Sequence, residues 1–213
     1  MPAATRTFTA RHVQLTRAAL AAVAAVMITF SPDHSASVGL AVFAGFALST
    51  GLVQLLAAII VHPSGHRWPS VIIAAVSFAA GMFGGIPGLR SEGLFFTLVI
   101  AWAAATGLVE LIAGIRSKGT DGARDAMLVG GLGLLLALLL ALVPAGFVQE
   151  SVLAGGVTST LTSIIIGVGL FGGYAAIVAV FLGIAGLTPG TKKTADAETG
   201  TDADRLAEHG GHA

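Results

Sequence analysis

Glu110 is the one acidic residue inside an apolar stretch long enough to cross a membrane. An ionisable group in such a place has to be paired, hydrated or close to an interface. Glu110 stands six residues before Arg116, about 9 Å along a helix. That is near enough to snorkel to the surface or to meet Arg116 through water. A second reading comes from an echo in the chain. Gly51-Leu-Val-Gln-Leu-Leu-Ala-Ala-Ile59 returns 56 positions later as Gly107-Leu-Val-Glu-Leu-Ile-Ala-Gly-Ile115, which sets Gln54 and Glu110 at equivalent places. A polar layer shared by the two could face a bundle interior and line a proton or solute path. Gln54 and Glu110 are therefore the candidate binding residues, with both readings of the acid open.

Other chemistry is poorly represented. Gly167-Val-Gly169-Leu-Phe-Gly172 spells the dinucleotide fingerprint, but that motif needs a preceding strand and a water-accessible helix start. Here it lies within an apolar run, where glycines let helices approach closely. His62 and His66 are four apart around Pro63 and Gly65. The proline and glycine spoil the single helical face that two metal-ligating rings require, so an interfacial loop anchored by Trp68 is the better reading. Glu208, His209 and His212 are equally weak as a metal site. No Ser-His-Asp order, no paired carboxylates in one span and no phosphate loop occur, so neither a catalytic residue nor a metal or cofactor is expected. The chain has no cysteine, which removes disulfides and thiol chemistry.

The elements that must position these residues follow from composition. Of 213 residues, 55% are hydrophobic and 10% charged, against roughly 25% charged in a soluble domain. Six apolar runs are legible: Val13 to Ser31, Val38 to Val61, Pro69 to Ile86, Gly93 to Ile115, Ala126 to Val143 and Leu161 to Leu187. Each is long enough to cross a hydrocarbon core of about 30 Å as a helix, and none alternates as a barrel strand does. The expected fold is all-α and integral to a membrane, with the lipid bilayer as its principal partner. A net charge of zero argues against nucleic acid. With a cytoplasmic N-terminus, Arg6, Arg11, Arg17, Arg67, Arg116, Lys118, Arg124, Lys192, Lys193 and Arg205 lie inside and only Arg90 outside, a strong positive-inside bias. Both termini are then cytoplasmic. The basic start, the apolar Ala18 to Phe30 and Ser35-Ala36-Ser37 also imitate a cleavable secretory signal, but the repeat requires this first helix.

The first, third and fifth runs each close on a proline, at Pro32, Pro87 and Pro144, spaced 55 and 57 residues apart. Proline cannot continue a helix and biases its predecessor toward extended backbone. The chain therefore reads as three parallel two-helix hairpins, residues 13–61, 69–115 and 126–187, between a cytoplasmic segment 1–12 and a polar, disordered tail 188–213. The third outer loop, Ala145 to Thr160, is longer. Gly81 with Gly85, Gly84 with Gly88, and Gly169 with Gly173 have the small-xxx-small spacing of close helix contacts. A homo-oligomer face is the other use of such spacing.

This pattern, with proline ending each odd helix and glycine opening a Gly-Leu-Val-Gln/Glu stretch in the even one, resembles the bacterial HdeD-like membrane family over Arg17 to Leu187. The resemblance implies a six-span, multi-pass protein of the bacterial cytoplasmic membrane without enzymatic activity, and a link to acid resistance or stress tolerance. The runner-up is a small transporter or proton-conducting channel using Glu110 and Gln54. The third unit departs from the pattern, with Tyr174 and alanines where the others carry Gln54 and Glu110.

Overall fold

The computed structural model describes residues 9–62, 65, 67–119, 122–152 and 158–188. Each apolar run is a helix: α1 Ala10–Phe30, α2 Ala36–Leu56, α3 Trp68–Gly85, α4 Glu92–Arg116, α5 Ala123–Ala141 and α6 Ser163–Leu187. All six are long and apolar enough to cross a membrane. The odd helices stop two or three residues before Pro32, Pro87 and Pro144, as a residue without an N–H requires. The even helices α2 and α4 start on serines whose hydroxyls accept from the backbone: Ser35 from Val38 N–H and Ser91 from Leu94 N–H. These satisfy donors that the first turn leaves without partners.

Past Leu56 the backbone loosens into a π-helical turn, Ala57–Val61, closed by His62 N–H to the Ala57 carbonyl at 3.0 Å. His62 is extended, with φ −88° and ψ 134°, the geometry imposed by a following proline. Between α5 and α6, where the sequence suggests a plain loop, the chain forms an antiparallel hairpin. It pairs β1 Val148–Val152 with β2 Thr158–Thr162, registered Glu150 against Thr160. The β-branched residues of the two stretches, with Gly155-Gly156 between them, are the signal for it in the chain.

Contacts are most extensive for α2 with α3, α4 with α5 and α6 with α1, so each even helix leans on the helix after it and α6 closes back on α1. Glycine permits the approach. A Cβ on Gly107 would lie 2.8 Å from the Gly130 carbonyl oxygen of α5, and one on Gly130 would lie 2.6 Å from the Leu111 nitrogen. Gly51 meets the Ala74 carbonyl of α3, and Gly172 and Gly186 meet Ile28 and Leu15 of α1. The expected contact glycines divide. Gly81 packs against α2 and Gly84 against Leu98 of α4 and Ala44 and Leu40 of α2, whereas Gly85, Gly88, Gly169 and Gly173 face open space, with no atom of the described residues within 4 Å of where a Cβ would stand. α1 is a body element, gripped further by Arg11 Nε donating to the Gly186 carbonyl at 2.6 Å.

The core collects where the even helices converge. Phe43 and Phe46 of α2 pack edge-on against Trp102 of α4 and Phe171 of α6, with ring centroids 5.4–5.8 Å apart. The Trp102 indole N–H donates to Ser77 Oγ of α3 at 3.0 Å. Outward faces carry exposed Val26, Leu52, Met82, Leu108, Leu138 and Val180, apolar enough for lipid. In that setting dispersion and hydrogen bonding, rather than water exclusion, hold helices together.

Candidate functional site

At one end of the bundle, the N-terminal turns of α1, α3 and α5 and the C-terminal turns of α2, α4 and α6 surround a cavity of about 640 Å³. This volume is within the range of small-molecule sites. Gln54 and Glu110 both line it, so the structure brings the two candidate residues to one space. Each is buried, Gln54 to 5% exposure and Glu110 to 7%.

Glu110 does not turn to Arg116. Its carboxylate accepts from the Arg17 guanidinium of α1 at 2.5 Å. Arg116 instead lies over the Trp68 ring, 5.6 Å from its centroid, a cation–π contact. The pairing has a physical cause. Arg17 sits two turns into an apolar helix and Glu110 near the same depth in α4, and neither charge can be carried there singly at tolerable cost. Arg17 is the residue that sequence reasoning misses. Its signal is a base four positions inside the first apolar run, with one membrane acid available to meet it. Nearer the mouth, Gln14 donates its amide to Asp125 of α5 at 2.8 Å, tying α1 to α5 as Arg17 ties it to α4.

Beyond the ion pair is a second space, about 20 Å³, lined by Arg17, Phe46, Thr50, Ile73, Trp102, Thr106, Glu110, Tyr174 and Val178. Thr50 and Thr106 each directly precede the glycine that opens the echoed stretch, so reading the echo one residue further back points to them. Tyr174 joins this layer from α6, its ring 6.2 Å from that of Trp102. The aromatic cluster of Phe43, Phe46, Trp102 and Phe171 fills the bundle beyond. The interior is thus graded: a wide vestibule of mixed lining, an ion pair, a small inner space and an aromatic seal.

The dinucleotide-like glycines lie in the N-terminal half of α6, where Gly167 packs on Phe96 and Gly172 on Ile28. His66, Glu208, His209 and His212 lie outside the described residues. Among the described residues no three His, Asp or Glu side chains gather as metal ligands. No protein-family model, curated protein or solved structure significantly matches the chain.

Proposed function

We propose that the chain is a multi-pass protein of the bacterial cytoplasmic membrane, without enzymatic activity, that serves acid or stress tolerance. In this reading it is three parallel hairpins with both termini inside, and the vestibule opens to the cytoplasm. Six membrane-length helices support the multi-pass part. The orientation rests on charge. Arg11, Arg17, Arg67, Arg116, Lys118 and Arg124 belong to the helix ends and turns at the vestibule end, while Arg90 belongs to the opposite end. That is the asymmetry of a cytoplasmic face. The tolerance role rests on the HdeD-like resemblance. A homo-oligomer through the open faces at Gly169 and Gly173 is part of the same reading.

The observation that carries the non-enzymatic assignment is the Arg17–Glu110 pair: the one membrane acid is engaged in neutralising a base and holding α1 to α4. A second reading, a small transporter or proton-conducting channel, draws on the vestibule that Gln54 and Glu110 share. Two measurements decide. Cells lacking the protein should survive acid shock less well than wild type and regain survival with Glu110→Gln; equal survival of deletion and wild type contradicts the tolerance role. Purified protein in liposomes should not dissipate an imposed pH gradient, and a leak abolished by Glu110→Gln establishes the second reading.

A further inference from the structure

The inner space beneath the ion pair contains an imbalance of hydrogen bonds. Thr50 is 4% exposed, and its hydroxyl has no hydrogen-bond partner among the described residues. A buried hydroxyl left this way carries its full desolvation penalty, and native interiors rarely retain one without water beside it. The nearest polar groups are turned to other partners. The Trp102 N–H is given to Ser77, and the Thr106 hydroxyl donates to the Trp102 carbonyl at 2.8 Å, which leaves Thr106 Oγ1 able to accept. Glu110, Arg17 and Tyr174 line the same space.

We infer that this inner space holds one ordered water molecule, which satisfies Thr50 and joins the threonine layer to the Arg17–Glu110 pair. Size selects the ligand. The volume of about 20 Å³ exceeds the roughly 10–15 Å³ that one water needs and is too small for a larger ligand. Chemistry agrees. A hydroxyl without a partner, a second hydroxyl with lone pairs to spare, a carboxylate and a guanidinium offer the two to four partners a buried water takes. An inorganic cation is disfavoured by the guanidinium in the wall. The polar column therefore runs from the vestibule through the ion pair and one water, and ends at the aromatic seal. This assignment rests on packing alone and holds whichever way the bundle sits in the membrane.

Substitution at Thr50 tests it by sign. Valine has nearly threonine's shape without the hydroxyl. If the space is dry, Thr50→Val removes an unpartnered polar group and stabilises the protein. If a water is bound, the same change strips that water of a partner and lowers the melting temperature of detergent-purified protein by about 2–4 °C. Thr50→Ser retains the hydroxyl and should stay closer to wild type. An experimental density map that shows ordered waters should place one between Thr50 and Glu110. Thr50→Val as stable as wild type or more so, equal losses in Thr50→Val and Thr50→Ser, or an empty inner space in such a map each overturn the assignment. If Thr50→Val yields no folded protein, the wild-type map decides alone.

Discussion

At the scale of single residues, the Arg17–Glu110 pair governs how the interior can be read. Arg17 and Glu110 retain only 18% and 9% side-chain exposure, so removing either partner strands a largely desolvated charge on the other. Glu110→Gln and Arg17→Gln should each destabilise the bundle by about 1–3 kcal/mol, below the figure for fully buried pairs because Arg17 keeps some contact with solvent. The double variant Arg17→Gln with Glu110→Gln should lose less than the sum, since it strands no charge. Denaturant unfolding of the four proteins in one detergent measures the coupling; additive losses would mean that the pair is not a unit. Sequence shows that Glu110 needs a partner and keeps Arg116 in view because it lies nearby on the same helix. The true partner is 93 residues away in the chain. Only the closing of the bundle, which packs α1 on α6 and α2 and sets it across the interior from α4, brings it near, which is why local spacing does not reveal it.

At the scale of elements, helix ends are more legible than helix faces. Prolines and capping serines act on backbone a few residues away, and α1, α3 and α5 stop where Pro32, Pro87 and Pro144 dictate. A glycine's role depends on what stands opposite, and small-xxx-small spacing is blind to that. Gly169 and Gly173 have the spacing and face open space, while Gly107 and Gly130 meet backbone at under 3 Å from an added Cβ. Gly107→Ala and Gly130→Ala should therefore force α4 and α5 apart and cost about 2 kcal/mol or more. Gly169→Ala should be neutral or stabilise by up to about 1 kcal/mol, because alanine is the better helix former. Thermal unfolding of the three single variants separates these cases, and equal tolerance would contradict the α4–α5 geometry. The β1–β2 hairpin is faint in the sequence because its strands are five residues each and exposed, so beyond scattered β-branched residues there is no buried face to impose a pattern.

At the scale of the whole molecule, the six spans are legible because each is a long apolar run whose signal needs no partner. The graded interior is not, since it arises where all six helices meet and no one of them carries it. Two features of the chain bear on the proposed orientation. Cations concentrate at the end where the vestibule opens, and the opposite end carries the short proline-closed turns and the hairpin. Orientation in the membrane decides what the vestibule can reach. The chain has no cysteine, so single cysteines placed in it report side without background. An impermeant thiol reagent applied to intact cells should label Ser35→Cys, Ser91→Cys and Ser151→Cys. Gln14→Cys in the vestibule and Lys118→Cys at its rim should be labelled only after the membrane is opened. Labelling of Gln14→Cys and Lys118→Cys in intact cells, with Ser35→Cys and Ser91→Cys protected, would contradict a vestibule facing the cytoplasm.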